Sequence, residues 1–241
     1  MDDGLAEGHT VLADIQKLYD WNWSGAEESY RRAIALDPTY AVAHQWYAGL
    51  LSILGRHDEA STEIETARRC EPLSLAINAF ISYLALLAGR YETAVAAAQK
   101  ALELDTNAAL AHDLLGRAYA KLGDTNKAID SFESALRLGG SVPLIEGYRG
   151  YAYARAGART QAEQILAQLR QQRLTHYVSA IDIAVVCVGL ADTEGAIAAL
   201  EEAYRNRAAR MVTVGDPFFS ELRLDARYRD LLTRMGLPAQ P

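Results

Sequence analysis

The chain is short of the features that mark most enzymes, nucleic-acid binders and membrane proteins. In 241 residues there are two cysteines, six prolines and 8% aromatic residues. No HExxH, GxSxG or paired CxxC occurs, so zincin, hydrolase and zinc-knuckle chemistry have no anchor. A Gly-rich phosphate loop, a kinase catalytic loop and a basic recognition helix are also missing. Long apolar runs are scarce: residues 75–88 and 180–191 fall short of the roughly 20 apolar residues a membrane-spanning helix needs, and the second run carries Asp182. Positive charge is not in excess, with 24 Lys and Arg against 31 Asp and Glu and a net charge of −7. The basic residues are dispersed, which argues against a nucleic-acid surface and leaves a protein as the expected partner. The opening MDDGLAEGHT is acidic and has no apolar core, so we read no signal peptide and expect a cytoplasmic chain.

What is present is a period. Residues 109–142, ALAHDLLGRAYAKLGDTNKAIDSFESALRLGGSV, read as two amphipathic helices joined at Gly123-Asp124. Leu115, Ala118, Tyr119 and Leu122 share one face of the first helix; Ala128, Ile129, Phe132, Ala135 and Leu136 share one face of the second. Stepping by 34 residues from Ala128 meets Ala26, Ala60, Ala94, Ala162 and Ala196. Glycine recurs at the turn as Gly55, Gly89, Gly123 and Gly157. Small residues recur twelve positions before the alanines as Ala48, Ser82, Gly116, Gly150 and Ala184. A helical hairpin that cannot cover its own flanks is therefore stacked on copies of itself.

This period, with small and aromatic residues at those offsets, resembles the tetratricopeptide repeat family. The segments YDWNW, AHQWYA and EPLSLAIN further resemble the repeat arrays in the C-terminal parts of bacterial multidomain signalling proteins linked to cyclase, kinase or winged-helix modules. The resemblance implies an all-α fold, a right-handed α-solenoid of about six hairpins closed by a C-terminal capping helix. We divide the chain into a polar tail 1–6, repeats 7–40, 41–74, 75–108, 109–142, 143–176 and 177–210, and a capping segment 211–241. Cys70 and Cys187 lie more than three repeats apart where repeats contact only their neighbours, which predicts free thiols in a reducing compartment. Ser24 and Glu27 are spaced as a capping box that starts the second helix of the first repeat. Trp21 and Trp23 replace the turn glycine there and are expected to cover the exposed end of the core. In repeat five, Arg149 stands where an apolar residue is usual and Leu169 where alanine is usual; in repeat six, Ala191 takes the place of the turn glycine. A Phe-bearing turn and a helix over 226–235, stopped by Gly236 and Pro238, close the last apolar face.

His44 and His112 share a repeat position, but that position faces the partner helix and the two repeats are not neighbours, so no metal role is assigned. No catalytic residue, metal or cofactor is expected. The resemblance implies a concave groove lined by the first helices, suited to a peptide or a partner helix. Carried over by position, its residues are Trp46, Phe80, Tyr83, Asp113, Arg117, Lys121, Tyr148, Tyr151 and Arg155. An aromatic floor with Arg117, Lys121 and Arg155 at its side suits an apolar segment bearing an acidic residue. The Lys and Asn pattern that clamps a C-terminal carboxylate in some relatives is absent; Gln45, Gly49, Phe80, Leu110 and Leu114 stand there. For Trp46 and Phe80, packing between adjacent first helices is an equal expectation. The alternative to an interaction module in signalling is a self-associating structural module, a homodimer through apolar surface in which Trp21 or Trp23 takes part.

Overall fold

The computed structural model describes residues 4–238. Six helical hairpins follow one another. The first is α1 (Ala6–Ile15), extended by a π-helical turn over Gln16–Asp20, with α2 (Trp23–Leu36). Next come α3 (Ala41–Ile53) with α4 (His57–Cys70) and α5 (Leu75–Leu87) with α6 (Tyr91–Leu104). The last three are α7 (Ala109–Leu122) with α8 (Thr125–Gly139), α9 (Pro143–Arg155) with α10 (Arg159–Gln172), and α11 (Ala180–Gly189) with α12 (Thr193–Arg205). Two 3-10 turns, Ala209–Thr213 and Pro217–Leu222, lead to a final helix, α13 (Ala226–Arg234). Of the tail expected over 1–6, residues 1–3 lie outside the described residues, and Ala6 already begins α1. Among the described residues no helix is long and apolar enough to cross a membrane.

The hairpin seams follow the sequence period. Ala26, Ala60, Ala94, Ala128, Ala162 and Ala196 are all at most 1% exposed, and so are Ala48, Ser82 and Ala184 across the seam. The close approach at Gly116 is enforced, because a Cβ there would lie 2.7 Å from the Phe132 ring. The two apolar runs fold as the buried first helices α5 and α11. Leu169 is buried in the repeat-five seam, while Arg149 pairs with Glu146 at 2.6 Å and lies against the Tyr153 ring. Both cysteines are free, Cys187 buried in α11 and Cys70 half-buried at the end of α4.

Every inter-helix turn passes through the left-handed region at the same register. Gly55, Gly89, Gly123 and Gly157 have φ between 71° and 84°, and Trp21 and Ala191 hold the same place at 53° and 59°. Because Trp21 supplies that turn, Asn22 becomes the N-cap of α2 and accepts a hydrogen bond from the Gly25 N–H at 3.1 Å. The capping box expected at Ser24 and Glu27 therefore does not form. Ser24 lies inside the first turn, and Glu27 accepts from Tyr47 Oη at 2.9 Å and from Arg56 at 2.7 Å.

A second period was not apparent in the composition. His44, Asn78 and His112 each bond the carbonyl six residues earlier, at Pro38, Thr106 for His112, and Pro72 for Asn78, over 3.0–3.1 Å. His and Asn thus perform one task, tying the loop between hairpins to the next first helix. His44 also binds Glu63 at 2.6 Å, which raises its pKa despite its burial.

The solenoid closes on itself. Trp21 stacks on Tyr204 of α12 at 5.2 Å with Arg207 over its indole ring, and Arg207 donates to the Tyr19 carbonyl at 3.0 Å. Trp23 donates its indole N–H to the Met235 carbonyl at 2.7 Å. The two tryptophans thus join the first repeat to the last repeat and to the residue following α13.

Candidate interaction groove

The residues expected to line a groove stand at the fifth, sixth, ninth and thirteenth positions of successive first helices. Repeat four places Asp113, Arg117 and Lys121 one turn apart on α7. Repeat five places Tyr148, Tyr151 and Arg155 on α9, and repeat three places Phe80 and Tyr83 on α5. Two groups of contacts form among them. The Arg117 guanidinium lies 4.0 Å from the Tyr148 ring centre and pairs with Asp113, its Nε donating at 3.1 Å. Phe80 meets Tyr83 at 5.4 Å. Burial pushes the Tyr83 and Tyr151 hydroxyls up to about 12, so both stay protonated at physiological pH.

Trp46 and Phe80 also pack against the core of the first repeats. Phe80 reaches across to Gly49 of α3, where a Cβ would come within 3.2 Å of its ring, and Trp46 is half-buried. Both pack at the joint between neighbouring hairpins.

Lys121, Tyr148, Tyr151 and Arg155 meet the protein's own chain. After α12, residues 209–222 pack against α7 and α9. Phe218 is 1% exposed and stands edge-on to Tyr148 at 4.7 Å and to Tyr151 at 4.8 Å, with the Lys121 ammonium 5.3 Å from its ring centre. Lys121 also donates to the Pro217 carbonyl at 2.8 Å, and Arg155 pairs with Glu221 at 3.1 Å. Asp216 caps the 3-10 turn by accepting from the Phe218 N–H at 3.0 Å. Its second carboxylate oxygen is buried without a hydrogen-bond partner, and its charged neighbours are Arg117, Lys121 and Arg210. Burial outweighs those cations and raises the Asp216 pKa; the same burial lowers that of Lys121. Arg210, just ahead of the turn, pairs with Asp182 of α11. The sequence pointed to no role for Asp182, Arg210 and Asp216, since Asp182 stands in an apolar helix, Arg210 ends the last repeat and Asp216 lies beyond it. The one available signal was that residues 216–221, DPFFSE, match the ligand chemistry expected of the groove.

Next to this segment lies a cleft of about 450 Å³ between the turns of repeats two and three and the tail, where His57, Tyr91, Ser220 and Arg223 meet Leu54, Leu87 and two prolines. Among the described residues no group of three or more His, Cys, Asp or Glu is placed to hold a metal ion.

Comparison with known proteins agrees with this architecture. The tetratricopeptide repeat family matches over residues 29–60, 54–109 and 109–140. Small glutamine-rich tetratricopeptide repeat-containing protein 2 of Mycosarcoma maydis is 30% identical over 105 residues, which are 43% of this chain. The chain spans 30% of the length of that relative. Among solved structures, a tetratricopeptide repeat protein from Parabacteroides merdae superposes with a TM-score of 0.67 at 15% identity, over 96% of this chain and 84% of that one. Pseudomonas aeruginosa pilF gives 0.60 at 16% identity over 95% and 97%. The Cut9–Hcn1 hetero-tetramer of the APC/C gives 0.65 at 21% identity, over 98% of this chain and 44% of the other. These likenesses establish the fold, and together with the period they identify the chain as one that carries tetratricopeptide repeats wound into a solenoid of six hairpins.

Proposed function

We propose that the protein is a non-catalytic protein-interaction module whose concave face grips a segment of a partner, and that it regulates or localises a signalling protein in the bacterial cytoplasm. The observation that carries this reading is the chemistry of the groove. Tyr148, Tyr151 and Lys121 close around one aromatic ring, Arg155 takes a carboxylate, and the charges of Arg117 and Lys121 bear on another. Buried aromatic and Arg anchors of this kind concentrate interface energy, and charge pairs at their edge select among partners. The bacterial signalling context rests on the likeness of YDWNW, AHQWYA and EPLSLAIN to arrays attached to effector modules.

The test is chemical cross-linking of the full chain to its partner, followed by mapping of the linked residues. Links at Lys121 and along α5, α7 and α9 support the proposal; links confined to the outer faces of α4, α6 and α8 would sink it. The self-association reading has less support, because Trp21 and Trp23 are engaged within the chain. Light scattering that gave a concentration-independent dimer would revive it.

A further inference from the structure

We infer that residues 216–221 are a resident competitor in the groove, and that the partner is a protein bearing the same device: an acidic residue before a proline, two aromatic residues, then a second carboxylate, folded as a capped 3-10 turn. The inference rests on the groove reading above and names the partner's chemistry.

Phe218 and Phe219 are buried in the main core, and three features also give the segment the character of a docked ligand. First, its contacts to the groove are those of a ligand: a ring slotted edge-on between two tyrosines, a backbone carbonyl held by Lys121, and Glu221 at the rim on Arg155, where both partners of the ion pair stay more than two-fifths exposed. Second, the turn is organised by its own residues. Asp216 caps it and Pro217 begins it, so a segment of this sequence brings its bound shape with it and loses little entropy on docking. Third, the buried Asp216 carboxylate has one oxygen without a hydrogen-bond partner, and Arg117, Lys121 and Arg210 act on it through their charge without bonding to it. An unmade bond to a buried acid weakens the resident's hold, and a partner whose carboxylate reaches Arg117 or Lys121 gains what the resident lacks. The resident is held by its groove contacts and, outside the groove, by the clasp of Trp21 on Tyr204 and Trp23 on Met235. That clasp is built on a tryptophan held at φ 53°, in a turn where four other repeats use glycine.

The experiment uses the full chain and a fluorescein-labelled peptide, VGDPFFSELR, copied from residues 214–223. A ligand's apparent affinity falls by the fraction of protein whose site is open, so a closed resident suppresses binding to the unaltered protein. Trp21→Gly removes the Tyr204 half of the clasp and leaves the turn a residue suited to it. Phe218→Ala vacates the slot between Tyr148 and Tyr151. Either variant is expected to bind the peptide at least about tenfold tighter than the unaltered chain does, because loosening the resident raises the open fraction. Adding Lys121→Glu to either is expected to abolish the gain. Circular dichroism establishes which variants are folded, and Trp21→Gly decides the matter if Phe218→Ala is not. Equal binding to unaltered and variant chains, or no binding to a folded Trp21→Gly chain, would overturn the inference. So would a variant that dimerises by exchanging its tail and ignores the peptide, since the groove would then belong to a second copy. Cross-links of a partner in the groove together with a silent peptide would leave the interaction module standing and remove only this partner chemistry.

Discussion

At the scale of single residues, the groove is governed by what burial does to charge. Arg117 and Asp113 are 6% and 2% exposed and are one turn apart on α7. Arg117→Ala would leave the Asp113 carboxylate buried and unpaired, a loss of about 3–5 kcal/mol that a denaturant titration would read, and the double change to Ala at both positions should recover much of it. Asp216 makes the opposite contribution. Its folded pKa lies above the ordinary 3.8, so the fold favours its protonated form. That contribution is full below pH about 4 and is lost as pH rises through the raised value. Asp216→Asn keeps an oxygen to accept from the Phe218 N–H and removes the charge. We expect its thermal midpoint to exceed that of the unaltered protein at pH 7, with the gap narrowing towards pH 4. A gap that widens on acidification would contradict the assignment.

At the scale of elements, each hairpin is a small inventory of demands: an alanine at the seam, a small residue opposite, and a residue able to turn left-handed between the helices. The 34-residue spacing delivers the first in all six repeats and the second in five, Asp14 standing there in the first, with Phe132 packed so close to α7 that Gly116 admits no Cβ. The third demand is met by glycine four times and against preference at Trp21 and Ala191. A residue with a Cβ in that region costs about 1–2 kcal/mol. Ala191→Gly should therefore stabilise the chain by about 1 kcal/mol, seen as a raised midpoint, since nothing else is asked of that side chain. Trp21 is the contrasting case, because its strain accompanies the stack on Tyr204. His44, Asn78 and His112 show an element-level role that residue type concealed: two imidazoles and an amide do the same job of fastening a loop.

At the scale of the whole molecule, the tail converts an open array into a closed one. Repeat arrays are nearly one-dimensional, with each unit stabilised by its neighbours alone. Here the first and last units are also neighbours through Trp21, Tyr204, Trp23 and Met235. Trp23→Phe deletes the 2.7 Å bond to the Met235 carbonyl and keeps the ring. The expected cost is about 0.5–1.5 kcal/mol. Hydrogen exchange should show it as faster opening of residues 209–238, with α5 to α8 unchanged. Uniform acceleration along the array would mean that the tail and the repeats open as one unit and that the clasp has no separate strength.

The sequence by itself determined the hairpins, because each is a local object: periodic apolar faces, small seam residues and left-handed turns are written within 34 consecutive residues. Helical spacing also fixes which residues of each first helix share a face; that this face is a groove is what the resemblance implies. The terminal helix was legible within a residue or two for the same reason, from its apolar face and from Gly236, whose φ is 65°. What only the tertiary structure decided is what lies across the groove. Phe218 meets Tyr148 over 70 residues of intervening chain, and Trp23 meets Met235 over 212. Such contacts depend on the accumulated rotation of six stacked hairpins, a quantity no single period encodes. Reading DPFFSE as a cap for the last face was reasonable locally; its place against α7 and α9 follows from the curvature of the solenoid, which brings the first and last repeats together around it.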